Sequence, residues 1–322
     1  MSLKNGGGSG ISEALALPGR MKQMATSDLR INEVIGTNTS GAEKASLIGF
    51  PSDKGVRING GRTGAAKAPE QIFNRLMQLT LHPQHNELHT VLLRHVSHPH
   101  MLHCTGNVAA DQQNLGMTVA ESLKNGSVPV IMGGGHETAF GHYLGYSETN
   151  KPVHILNIDA HTDVRPLKEG RPHSGSPFMQ AIEDQSGCCR SYTVMGLQPS
   201  SVARDHLSYV NENGKAVLAD DLKMKTVQDY FSDLRSNSDS DPVMLTMDMD
   251  AVDQSQAPGV SAPNASGIDS GFWLEIAFYC GRQGNVASFD LCEVNPAFDR
   301  DDQTIRLAAL TVWYFLLGLA LR

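Results

Sequence analysis

Seven short apolar runs constrain this chain more than any other feature. They are ASLIGF (45–50), VPVIMGG (128–134), VHILNID (153–159), SYTVMGL (191–197), KAVLAD (215–220), PVMLTMDMD (242–250) and VASFDLCEV (286–294). Each has the length of a strand and is rich in Val, Ile and Leu with little polar alternation, as expected of a strand buried on both faces. Helical patterning fills the gaps at 69–80, 107–124, 137–146, 269–282 and 302–320. Pro69 and Glu70 suit the first turn of their helix. Strand alternating with helix predicts βαβ units and a parallel sheet, an α/β fold. Such sheets bind ligands beyond the carboxyl ends of their strands, and polar clusters follow several of these runs.

The bulk properties narrow the function. At 322 residues, 40% hydrophobic and 19% charged, the chain can bury a large core. A net charge of −8 leaves no basic footprint for nucleic acid, and no basic amphipathic helix suggests a membrane surface. Five cysteines without a CxxC pair argue against a disulfide framework or zinc ribbon and for a reducing cytoplasm. MSLKNGGGSG has no apolar core of a secretory signal, and residues 1–40 are expected to be flexible. TVWYFLLGLALR is 12 residues, too short to span a bilayer, and is expected to be the buried face of a last helix.

Four polar clusters carry the chemistry. GGGHETAFGHY (133–143) puts three glycines between a strand and a helix, with His136 at the helix start. No GK[ST] follows, so it is not a phosphate loop. NIDAHTDVRP (157–166) places Asp159, His161 and Asp163 at every second position, which alternation at a strand end would send to one side. LTMDMDAVDQ (245–254) repeats the device with Asp248 and Asp250, while Asp253 suits a loop brace. FDLCEVNP (289–296) ends a run in Glu293 before Asn295 and Pro296. Singly, each admits a plain structural reading: a core histidine, a capping aspartate, a glutamate before a turn. Together, four aspartates from strand ends would put a formal charge of about −4 in one cleft. Like charges that close cannot all ionise uncompensated. Two divalent cations would compensate them, and oxygen-rich ligation with some imidazole favours Mn2+ over zinc. Two such ions roughly 3.5–4 Å apart can share a bridging hydroxide.

GGGH, DAHTD and DMDAVD, followed by a strand ending in Glu, resemble the ureohydrolase family of arginase, agmatinase and formimidoylglutamase from about residue 45 to the C-terminus. The resemblance implies a three-layer α/β/α fold around a mostly parallel sheet of about eight strands, with one catalytic domain over 41–322. It implies two Mn2+ ions per subunit, a homo-oligomer, and metal-activated hydrolysis of a small amidine or guanidine. By the same resemblance His136, Asp159, His161, Asp163, Asp248 and Asp250 are metal ligands, with Asp159 and Asp248 bridging. Glu293 would hold the substrate's cationic group.

The finer text, GGRTGAAKAPE, DVRP, HSGSPF, MGLQPSS, APGVSAP and NPAFDRDDQTIRLAA, resembles the formimidoylglutamase branch. The implied reaction is N-formimidoyl-L-glutamate plus water giving L-glutamate and formamide, in histidine breakdown. A substrate with two carboxylates calls for cations, and Arg62 and Arg165 are the candidates for a bidentate clamp. The alternative is a guanidino substrate that releases urea. A ureohydrolase-like binding protein without catalysis would be expected to show eroded ligands, and all six are present. The histidine that precedes Gly in the family's HG-x-P segment is Ser174 here, and His173 is displaced by one. Proton transfer is therefore expected through Asp163 or a metal-bound water, and His173 reads equally as an exposed loop residue. Seven histidines between His82 and His103 look like a second metal site, but their irregular spacing without recurring carboxylates favours surface loop and helix positions.

Overall fold

The computed structural model describes residues 28–38, 40–222, 227–228 and 241–322. The expected flexible stretch 1–40 falls mostly on residues outside these. Within its described part, Ile31–Val34 forms a short helix, and Ile31 and Ile35 are fully buried.

One parallel sheet organises the chain. Its strands are β1 (Ala45–Phe50), β2 (His100–Met101), β3 (Val128–Gly133), β4 (Val153–Ile158), β5 (Cys189–Leu197), β6 (Gly214–Leu218), β7 (Val243–Asp248) and β8 (Val286–Cys292). They lie in the order β2-β1-β3-β8-β7-β4-β5-β6. Every pairing is parallel. The seven expected strands are all present within two residues of their predicted ends. Edge strand β2 has no counterpart among the apolar runs, because two residues are too few to show a pattern.

Helices of eight or more residues among those described are α1 (Ala68–Leu76), α2 (Asn86–Leu93), α3 (Val108–Lys124), α4 (Thr138–Glu148), α5 (Arg204–Asn213), α6 (Ser270–Gly281) and α7 (Gln303–Ala320). They cover both faces, completing the three layers. Alternation along the strands divides the core in two. Leu47, Val130, Met132, Leu156, Ile158, Leu245 and Met247 pack with Trp273, Ile276 and Phe315 of α6 and α7. Ile48, Ile131, Ile155 and Met244 pack with Leu115, Val119 and Tyr143 of α3 and α4. Near-continuous apolar runs are thus what a sheet covered on both faces requires.

Helix α7 is long and apolar enough to cross a membrane by length and composition, yet 67% of it is buried inside the protein. Its Gly318 lies so close to α6 that a Cβ there would sit 2.4 Å from the Phe278 carbonyl oxygen. The expected buried last helix is what the fold contains.

Candidate metal centre

The four central strands β3, β8, β7 and β4 are consecutive neighbours. Asp159 directly follows β4, Asp248 ends β7, Glu293 directly follows β8, and His136 lies three residues beyond β3. Parallel strands about 4.8 Å apart therefore deliver these side chains to one spot. The loop carrying His136 needs Gly134: a Cβ there would fall 1.9 Å from the Ser52 carbonyl oxygen.

Local geometry brings in the remaining candidate ligands. Asp159 Oδ1 accepts a hydrogen bond from the His161 N–H at 2.7 Å. Asp248 Oδ1 accepts one from the Asp250 N–H at 2.8 Å. These twin aspartate turns place His161 and Asp250 beside the aspartates that organise them. Strand alternation, the sequence-based reason for the every-second-residue spacing, is not the cause, since β4 stops at Ile158 and Asp250 lies in a 3-10 turn over Met249–Ala251. Asp163 and Glu293 have φ of +46° and +63°. Left-handed backbone at a non-glycine residue costs about 1–3 kcal/mol and tends to collect at functional sites.

The carboxylate oxygens converge. His136 Nδ1 lies 3.2 Å from Asp159 Oδ2, 3.1 Å from Asp163 Oδ2 and 3.0 Å from Asp248 Oδ2. His161 Nδ1 lies 3.5 Å from Asp159 Oδ1 and 3.3 Å from Asp250 Oδ2. Two groupings could each hold an ion: His136, Asp159, Asp163 and Asp248, and Asp159, His161 and Asp250. Asp159 belongs to both; Asp248 belongs only to the first. Asp250 Oδ1 and Glu293 Oε2 are buried without a hydrogen-bond partner. Orphaned carboxylate oxygens beside imidazole nitrogens fit a pair of hard or borderline divalent cations.

The buried charges perturb one another. Burial opposes protonation of His136, but the facing Asp248, Asp159 and Asp163 raise it well above its ordinary value. Asp250 raises His161 against the effect of burial. Burial also works against the charge on Asp159, yet His136 and His161 hold its carboxyl below the usual range. Burial and the neighbouring Asp250 and Asp159 push Asp248 well up. Burial raises Asp250 to about 6, with His161 opposing. Burial and Asp248 also raise Glu293, whose Oε1 accepts from the His136 N–H at 2.9 Å.

Both arginines make polar contacts elsewhere. The Arg62 guanidinium donates to the carbonyls of Ser261 at 2.9 Å and Val260 at 2.6 Å, and lies 4.0 Å above the Phe298 ring. Arg165 is exposed, and its guanidinium donates to Asn59 Oδ1 at 3.3 Å. His173 is not the exposed loop residue weighed above: it is buried, with Nε2 3.0 Å from the Pro166 oxygen and Nδ1 3.1 Å from the Gly175 nitrogen. Both ring nitrogens are in use, because the loop closes around them. Asp253 braces its loop as expected, accepting from the Ser255 N–H at 2.8 Å. A cavity of about 280 Å³ opens beside His161, lined in part by Gln198, Ser200, Ser201, Asn264 and Ser266.

The profile of the arginase family matches residues 43–318. The chain belongs to the arginase family. A formimidoylglutamase of Geobacillus sp. is 36% identical over 285 residues, covering 85% of this chain and 84% of the relative. One of Rhodococcus jostii is 35% identical over 314 residues, covering 90% and 91%. The crystal structure of Trypanosoma cruzi formiminoglutamase with Mn2+ superposes with a TM-score of 0.83 at 26% identity, covering 92% of this chain and 99% of that one.

Sequence reasoning about this arginase-family chain missed the polar residues inside its strands. Asn157 Nδ2 donates to Asp159 Oδ2 at 3.0 Å. Thr246 contacts His136 Nε2 at 2.9 Å and donates to Asp290 Oδ1 at 2.7 Å. All three are fully buried. The available signal was a lone polar residue interrupting an apolar run: Asn in VHILNID, Thr in VMLTMD, Asp in SFDLCE.

Proposed function

We propose that this protein hydrolyses N-formimidoyl-L-glutamate to L-glutamate and formamide, a step of histidine breakdown. It would use two Mn2+ ions held by His136, Asp159, His161, Asp163, Asp248 and Asp250. The observation that carries the metal reading is the convergence of three carboxylate oxygens within 3.2 Å of one imidazole nitrogen. The formimidoylglutamases similar over most of the chain support the substrate. When bound, the ions supply Lewis acidity and lower the pKa of water at the site.

The protein's own groups bind and orient. Glu293 presents a buried, unpartnered Oε2 to the substrate's amidinium, whose delocalised charge suits a carboxylate. That contact fixes the amidine carbon for attack by water, which is catalysis by positioning. Asp163 takes a proton from the attacking water and hands it to the leaving amine as the carbon–nitrogen bond to glutamate breaks. Arg165, exposed and loosely held, clamps a substrate carboxylate. Arg62 would first have to leave its two carbonyls, so its share in that clamp is the smaller.

A guanidino substrate such as agmatine would carry a cationic tail. The named wall of the cavity beside His161 offers hydroxyls and amides and no carboxylate, which suits an anionic tail better. We assign the catalytic domain to residues 41–322 of a homo-oligomer. Five free cysteines support a cytoplasmic location.

Product identity tests the reading. Mn2+-loaded protein is given N-formimidoyl-L-glutamate, arginine, agmatine and guanidinobutyrate in parallel. Glutamate and formamide from the first alone are expected. Urea from any of the others would overturn the substrate and keep the metal centre.

A further inference from the structure

Behind the metal-facing side of His136 runs a buried hydrogen-bond chain that the proposed reaction leaves unused. His136 Nε2 lies 2.9 Å from Thr246 Oγ1, and that hydroxyl donates to Asp290 Oδ1 at 2.7 Å. Asp290 Oδ2 lies 2.6 Å from His142 Nδ1. His142 Nε2 lies 2.6 Å from Ser288 Oγ, which lies 2.6 Å from the Tyr146 hydroxyl. Cys292 Sγ donates to Asp290 Oδ1 at 3.2 Å. His136, Thr246, Asp290, His142, Ser288 and Tyr146 are all at 0% exposure.

Proton counting gives this chain a direction. A threonine hydroxyl has one proton, and Asp290 takes it. Toward His136, Thr246 Oγ1 can then only accept, so His136 Nε2 must donate. When an ion is bound, the Nδ1 lone pair is the one left to face it and the three aspartates. On the far side every proton is used once when Tyr146 donates to Ser288, Ser288 to His142 Nε2, and His142 Nδ1–H to Asp290. Asp290 is the common acceptor on which both arms end.

We propose that Asp290, acting through Thr246, is the positioning residue that fixes the tautomer and ring orientation of His136 for metal binding, with His142, Ser288 and Tyr146 holding Asp290 in place. The proposal rests on the dinuclear metal reading above. A third possible ion grouping, His136 with Asp290 and Cys292, would use the opposite ring nitrogen. Thr246 Oγ1, within hydrogen-bond reach of both His136 Nε2 and Asp290, stands in that space and disfavours it.

The test is a Mn2+ titration of the full chain, followed by the electron paramagnetic resonance signal of free Mn2+. Wild-type protein should bind two ions; failure at this step would sink the metal reading rather than this inference. Given two ions, Thr246→Val and Asp290→Asn should each weaken one of them by about 10- to 100-fold, the usual cost of losing a ligand's outer partner. The other ion, on Asp159, His161 and Asp250, should stay within about threefold, and Thr246→Ser should bind both ions as the wild type does. A merely structural role would weaken both ions together and lower the melting temperature of the metal-free protein, with no rescue by Ser. Two tightly bound ions in both Thr246→Val and Asp290→Asn would overturn the proposal. No proposed metal ligand is a sequence neighbour of Asp290, so Asp290→Asn keeps the test open should Thr246→Val fail to fold.

Discussion

Two regions of this chain are rich in metal-binding side chains, and among the described residues only one gathers them closely enough to hold ions. Residues 82–103 hold seven histidines in 22 positions. The candidate centre draws six candidate ligands from loops as far apart as His136 and Asp250. Along the sequence the first region is the denser. In space its histidines disperse. His82 stacks on His85 at 4.8 Å. His89 is buried edge-on against Trp313 at 5.4 Å. His95 faces Asn38 at 2.6 Å. Among the described residues no histidine of this segment joins two other potential ligands. The surface reading fails for His89 alone, because α2 turns that position inward beneath α7. The lesson is that convergence of carboxylates from adjacent parallel strands makes a site, whereas local histidine density does not.

Asp159 is shared by both ion groupings. Asp159→Asn should lose both ions and the activity together, by more than the roughly 100-fold that outer partners cost. Metal analysis beside turnover checks this, and retained activity with two ions bound would remove Asp159 from the centre.

The second test lies in the histidine-rich region. Burial, with His82 nearby, pushes His89 down to about 4. The unfolded chain binds the proton near pH 6.5 and the folded one only near 4. His89 therefore contributes stability that is present above about 6.5 and lost as pH falls toward 4, approaching about 3 kcal/mol. Urea unfolding should show that loss in wild-type protein and lose that component in His89→Leu. Equal pH slopes in the two proteins would contradict it.

Arg165→Ala comes third. It should raise KM for formimidoylglutamate by about tenfold or more, the worth of one charged hydrogen-bonding partner, with metal content intact. An unchanged KM would make the arginine structural. The smallest effect is expected from replacing His98, His100 and His103 together by Ala: Mn2+ stoichiometry should stay at its wild-type value. A drop by one ion would show that the dense region binds metal after all.

The apolar runs by themselves determined the sheet, because a strand covered on both faces must be apolar along its whole length. They also determined where the ligands fall, since polar residues collect where those runs stop. Spacing marked Asp159, His161, Asp248 and Asp250 as candidates, but only the tertiary structure showed that aspartate turns, not strand alternation, bring the second of each pair into place. Strand order was equally out of reach of the sequence. That β3, β8, β7 and β4 stand side by side depends on how helices crossing both faces share the sheet, a packing outcome that no local pattern encodes. The buried line from His136 through Thr246 to Asp290 follows from that order. Each partner comes from a different strand or its exit loop, and a lone polar residue in an apolar run has no recognisable role until the neighbouring strand supplies its hydrogen bond.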